Sequence, residues 1–140
     1  MANLQKLSQE HDELLKLVER LRVAVAAAHS PPVVELYSLR AELATTLIAH
    51  LKAEDWAVYP RLMACGDAEI AATAKAFSDE MGGLAAAFGV YAQRWDAMTI
   101  QANWHGFCLE TKDILAELTS RISRENEGLY PLIERLDRAA

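Results

Sequence analysis

The sequence predicts an all-α protein, an antiparallel up-down-up-down four-helix bundle. Three observations point there. Apolar residues recur three and four apart through four long stretches, the spacing of one helix face. Helix breakers cluster at Ser30-Pro31-Pro32 and Cys65-Gly66-Asp67, and Asp96 to Asn103 reads as a third connection, so the stretches are joined by short turns. Only six glycines and four prolines occur in 140 residues, and no run alternates as a strand would. No linker composition appears, so a single domain over 1–140 is expected.

The first helix is expected from about Asn3 to Ala28. Its stripe is Leu4, Leu7, His11, Leu14, Val18, Leu21 and Val25, with Lys6, Glu13, Lys16 and Arg20 on the solvated face. The second helix starts near Val33, with the stripe Leu36, Leu43, Leu47, His50, Glu54 and Ala57. Pro60 lies inside that pattern, which resumes at Leu62 and Met63. A proline there removes a backbone hydrogen bond and predicts a kink just past Glu54.

Asp67 is placed to cap the third helix, whose stripe is Ile70, Ala74, Phe77, Met81, Leu84, Phe88, Tyr91 and Trp95. Gly82 and Gly83 sit within it, at roughly 1 kcal/mol each relative to alanine. They serve either close helix approach or an access channel. The fourth helix runs from Asn103 or Trp104 to Asp137, with the stripe Thr111, Ile114, Leu118, Arg121, Glu125, Leu129 and Leu132.

Composition excludes some functions. Hydrophobic residues make up 52%, enough for a real core. A formal charge of −6 argues against nucleic-acid binding and against an anionic membrane surface. No apolar run is long enough to span a membrane, and the first residues lack an apolar signal core. Cys65 and Cys108 have no CxxC spacing and read as free thiols. These features fit a cytoplasmic protein.

Four polar residues interrupt the apolar faces: His11, His50, Glu54 and Glu125, joined by Arg121. His50 and Glu54 are four apart, so they share a helix face one turn apart. A carboxylate alone in an apolar core costs several kcal/mol or takes up a proton. A bound cation or a fixed positive side chain removes that problem.

The two halves also echo each other. Glu54, Tyr59 and Pro60 recur 71 residues on as Glu125, Tyr130 and Pro131, and Glu10 and Leu14 recur 70 residues on as Glu80 and Leu84. The same offsets pair His11 with Met81 and His50 with Arg121.

Glu-His-Asp-Glu-Leu at 10–14, His-Leu-Lys-Ala-Glu-Asp-Trp-Ala-Val-Tyr-Pro at 50–60 and Arg-Glu-Asn-Glu-Gly-Leu-Tyr-Pro at 124–131 resemble the hemerythrin family, in its bacterial HHE cation-binding form. The resemblance covers nearly the whole chain. It implies a four-helix bundle around a di-iron centre, with one histidine per helix and bridging glutamates on the second and fourth. Members bind oxygen, sense oxygen, nitric oxide or iron, or repair iron centres. The matching ligand positions are His11, His50, Glu54 and Glu125. Two positions depart: Met81 and Arg121 stand where further histidines are expected.

Arg121 decides the reading. Guanidinium keeps its proton and cannot ligate a metal. Two unit charges about 4 Å apart interact by about 4 kcal/mol at an effective dielectric of about 20. Beside Glu54 and Glu125, Arg121 would be attracted to both and would substitute for the charge of a metal. One reading is therefore a regulatory, sensor or binding module with a degenerate site, holding no iron and acting through a protein partner. The alternative is a non-haem iron protein, mononuclear or dinuclear, binding O2 or NO through His11, His50, Glu54 and Glu125. An enzyme reading finds no nucleophile–base pair and no phosphate loop.

Around the site, Met81 reads as core filler, with thioether ligation of haem or copper the remote alternative. Tyr59 and Tyr130 read as packing groups with a hydroxyl handle, lining the site with Gly82 and Gly83. His29 and His105 read as structural or exposed. Trp56, Trp95 and Trp104 are expected in the core or at its boundary.

Overall fold

The computed structural model describes residues 4–139. Helix α1 (Leu4–Ala26) ends two residues before the expected Ala28, where residues 27–29 bend toward Pro31-Pro32; Asn3 lies outside the described residues. The second bundle helix comprises α2 (Val33–Ala53), a π-helical turn (Glu54–Val58) and α3 (Tyr59–Met63). The third is α4 (Ala68–Met81) and α5 (Leu84–Arg94), interrupted at Gly82-Gly83. The expected third connection contains a short helix of its own, α6 (Ala97–Ala102). The fourth is α7 (Trp104–Arg124), a second π-helical turn (Glu125–Leu129) and α8 (Tyr130–Ala139).

Local chemistry accounts for these boundaries. Asp67 caps α4 as expected, accepting from the Glu69 and Ile70 amides at 3.0 and 3.1 Å. Asp96 caps α6 through Thr99 N, and Asn103 caps α7 through Gly106 N. Gly66, just before Asp67, has φ +88°, the left-handed conformation that closes the second turn. The expected gap in the third connection became helix because Asp96 supplies a cap and Ile100 a fully buried anchor.

The kink expected at Pro60 takes the form of a π-turn, and a second π-turn precedes Pro131. The Tyr59 amide donates to the Glu54 carbonyl, and the Tyr130 amide donates to the Glu125 carbonyl, both i→i+5. Proline cannot donate, and its ring presses on the carbonyl four residues back. One extra residue in the turn relieves that contact. The extra residue also resets the faces. Val58 and Tyr59 are buried where Ala57 was expected, and Ala57 is exposed. In the fourth helix Ile133 is buried and Leu132 only partly so. Trp56 falls on the outer side of the first π-turn and is 78% exposed, contrary to the expected core or boundary position. Met63 is likewise turned outward. Trp95 is buried and Trp104 half-buried, as expected, and His29 and His105 are exposed.

Helix α1 packs on α2 and α7, and α5 packs on the same two, so each bundle helix touches its two neighbours around the ring. The core divides into two apolar clusters. Leu14, Leu21, Leu43, Leu47, Phe88 and Leu118 lie in one; Leu7, Leu62, Ile70, Leu129 and Ile133 lie in the other. Along every bundle helix the residues between those clusters are the ones in question: His11, then His50 and Glu54, then Met81, then Arg121 and Glu125. Cys65 and Cys108 are free thiols, and no helix of the described residues is long and apolar enough to cross a membrane.

One buried charge was not expected. Arg40 occupies the stripe position between Leu36 and Leu43, where its Nη1 donates to the Trp95 carbonyl at 2.8 Å. Its guanidinium also lies over the Tyr37 and Tyr91 rings, 4.9 and 5.6 Å from their centroids. Arg40 thus ties the end of α5 to α2. Replacing it with leucine strands that carbonyl, and we expect a loss of about 1–3 kcal/mol in urea unfolding. An unchanged midpoint would remove the tie from this account.

Candidate metal centre

The four polar positions of the apolar stripes meet at one level of the bundle. One donor atom from each of His11, His50, Glu54 and Glu125 lies within 4.8 Å of the others, and all four residues are buried. The His11 and His50 rings are 4.6 Å apart, centroid to centroid. Met81 and Arg121 border the same level.

Outer partners set how the imidazoles present themselves. His11 Nδ1 donates to Asn126 Oδ1 at 2.8 Å, and His50 Nδ1 donates to the Glu10 carboxylate at 2.8 Å. A neutral imidazole that donates through Nδ1 carries a lone pair on Nε2. Each Nε2 then faces a carboxylate oxygen: His11 toward Glu125 Oε1 at 3.2 Å, His50 toward Glu54 Oε1 at 3.1 Å. With neutral imidazoles these are acceptors aimed at acceptors, whereas an imidazolium donates to the carboxylate. Such contacts require a proton or a cation between them.

Each glutamate also reaches the opposite side. Arg121 Nη2 donates to Glu54 Oε1 at 3.4 Å and Arg121 Nε to Glu125 Oε2 at 3.3 Å, while Nη1 donates to the Met81 carbonyl at 2.8 Å. Both carboxylates therefore bridge a histidine and the guanidinium. The expectation that Arg121 points inward to both glutamates agrees with this geometry. Met81 fills core space, and its backbone carbonyl, not its sulfur, makes the polar contact.

The two tyrosines do more than pack. Tyr59 donates to Glu125 Oε2 at 3.1 Å, on the arginine side. The Tyr130 hydroxyl lies 2.9 Å from His11 Nε2, 3.5 Å from His50 Nε2 and 3.3 Å from Glu54 Oε2, on the histidine side. The π-turns place them there. In a regular helix, residue i+5 sits about 140° round the axis from residue i. Closing the turn i→i+5 brings Tyr59 back over Glu54, and Tyr130 over Glu125.

The charges respond to this crowding. Burial disfavours a charged His50, but Glu54, Glu10 and Glu125 outweigh it and hold the imidazole above its usual pKa. Burial and the charge of Glu125 push Glu54 upward against the donation from His50. Burial also works on Glu125, but His11 and Arg121 win and keep it below the usual range. Burial and the two carboxylates raise both tyrosines. Without a cation, the excess negative charge is met by a proton held between His50 and Glu54.

Sequence reasoning missed the outer partners. Glu10 entered as an offset match and within a family motif, and Asn126 only within a family motif; neither was given a role at the site. Each adjoins a stripe residue, His11 or Glu125, which was the available signal. The repeat makes their arrangement informative. Glu80, the counterpart of Glu10, faces no histidine and is paired with Arg124 at the surface.

Gly83, but not Gly82, opens onto a cleft of about 570 Å³ along α5 and α7, lined also by Met81, Leu84, Ala116, Ser120 and Arg121. An added Cβ at Gly83 would meet nothing within 4 Å, and one at Gly82 would press on the Ser78 carbonyl of its own helix at 2.9 Å. Close approach of another helix is therefore not their role.

The fit to metal can be judged from these donors. Two imidazole nitrogens and two carboxylates suit one divalent cation such as iron. The matching half offers a thioether and a guanidinium in place of further imidazoles.

Comparison with known proteins agrees in kind. A family model, the Hemerythrin HHE cation binding domain, matches residues 2–133. No curated protein and no solved structure matches the chain.

Removing the guanidinium leaves two buried carboxylates short of positive charge. We expect Arg121→Met to lower the stability of chelator-treated protein by about 3–5 kcal/mol in urea unfolding. A neutral result would mean that Arg121 does not hold the network together.

Proposed function

The chain belongs to the hemerythrin HHE cation-binding family, and on that premise we propose that it holds one non-haem iron ion between His11, His50, Glu54 and Glu125. In this reading Arg121 takes the place of the second ion, and the domain is a regulatory or sensor module, not an oxygen carrier. The observation that carries it is the pair of buried imidazole-to-carboxylate contacts, His11 to Glu125 and His50 to Glu54. Each needs a proton or a cation between nitrogen and oxygen, and one ion serves both.

Charge supports a single divalent ion. Arg121 pairs with Glu54 and Glu125, and a third carboxylate, Glu10, stands behind His50, so three carboxylates face one guanidinium's charge. The shortfall is two positive charges, which one divalent ion makes up. The surviving half also keeps its outer partners, Glu10 and Asn126, which fix the ring orientation that ligation requires. Bound iron would supply a Lewis-acidic, redox-active centre at the midpoint of the bundle. The chain's own residues would position it, balance its charge and shield it from water.

One observation favours a second reading, in which the iron takes up O2 or NO. The cleft beside α5 includes Arg121 and Met81, which border the donor cluster, in its lining, and Met81, Leu84 and Ala116 give it an apolar wall.

Metal analysis of protein loaded with ferrous iron under anaerobic conditions tests the main reading. One iron per chain is expected, and His50→Ala should abolish it. No iron, or two per wild-type chain, would refute the assignment. Because outer partners tune the ligands, Glu10→Gln and Asn126→Ala should each weaken iron binding by about 10–100-fold in chelator competition. In the double variant Met81→His/Arg121→His the second half regains its nitrogen donors, and iron content should rise toward two per chain.

A further inference from the structure

We propose that Tyr130 is a fifth protein ligand and that the site it completes takes a trivalent iron ion. This rests on the one-cation reading above and adds a residue and an oxidation state to it.

The argument is geometric. Donors bound at about 2.1 Å and at right angles to one another lie about 3 Å apart. The Tyr130 oxygen stands 2.9 Å from His11 Nε2, 3.3 Å from Glu54 Oε2 and 3.5 Å from His50 Nε2. Those are the spacings of neighbouring ligands around one ion. With neutral imidazoles the hydroxyl also has more acceptors than it can serve: it carries one hydrogen, and all three neighbours then present lone pairs. A cation shared by the four groups resolves the excess.

Its repeat partner is not so placed. Tyr59 donates to Glu125 Oε2, the oxygen that Arg121 Nε also holds, and touches neither histidine. The same π-turn thus delivers one phenol to the arginine half and one to the donor half.

The ion's charge follows from the donor set. Phenolate and carboxylate oxygens are hard donors that suit a ferric ion. Ferric iron and Arg121 bring four positive charges; Glu10, Glu54, Glu125 and a Tyr130 phenolate bring four negative ones. The loaded site is neutral, and the phenol's proton and the proton held between His50 and Glu54 are both released as the ion binds.

The test uses the full chain, stripped with chelator and reloaded with ferric citrate. One iron per chain is expected, with a visible phenolate-to-iron charge-transfer band and tyrosine ring modes in its resonance Raman spectrum. Tyr130→Phe should lose the band while iron per chain is unchanged, with helicity checked by circular dichroism. If that variant does not fold, the ring modes of the wild type and the behaviour of Tyr59→Phe decide. Iron bound without a band, a band that survives Tyr130→Phe, or a band lost in Tyr59→Phe would overturn this inference alone. Failure to bind either ferrous or ferric iron would overturn both it and the one-cation reading.

Discussion

Two carboxylates buried in the middle of an apolar bundle impose the governing constraint. Glu54 and Glu125 are both almost fully inaccessible. Neither can be left charged and unpaired there, because the desolvation penalty is several kcal/mol per ion. Arg121 answers part of the demand, reaching both from one side. His11 and His50 close the other side, each oriented by a partner outside the centre. The apolar core is divided into two clusters at this level, so the polar layer sets how the four helices register against one another.

The chain's internal repeat explains the lopsided centre. Related halves bring equivalent positions to equivalent places, yet one half carries imidazoles and the other a thioether side chain and a guanidinium. The difference extends outward: Glu10 serves His50, whereas Glu80 turns to Arg124 at the surface. The π-turns are shared by both halves and come from the shared prolines. Their effect is to bring a tyrosine back over each glutamate, which a regular helix cannot do. In our reading this geometry favours one ion on the histidine side and a permanent positive charge on the other.

Most of the bundle was legible in the sequence because amphipathic periodicity is a local property. The stripes of α1 and α7 named the buried faces, and Asp67 announced its own cap. Errors fell where local pattern and tertiary contact diverge. The expected kink at Pro60 became a π-turn, which moved the buried face from Ala57 to Val58 and turned Trp56 to solvent. The connection at Asp96 to Asn103 folded into α6 because Ile100 found a place in the core. Arg40 was passed over because a lone charge on an apolar stripe does not reveal which carbonyl it will meet.

By itself the sequence determined that four amphipathic helices pair their apolar faces and that two histidines, two glutamates and an arginine lie on those faces. Spacing along a helix suffices for that, since a residue's face depends only on its near neighbours. Only the tertiary structure decided which nitrogen meets which oxygen. It brought Arg121 to both carboxylates, put Glu10 and Asn126 behind the histidines, and aimed Tyr130 at the donors but Tyr59 at the arginine side. Apart from Arg121 to Glu125, four positions apart on one helix, those contacts join residues 40 to 119 positions apart. Their geometry depends on helix packing and on two widened turns, neither of which periodicity encodes.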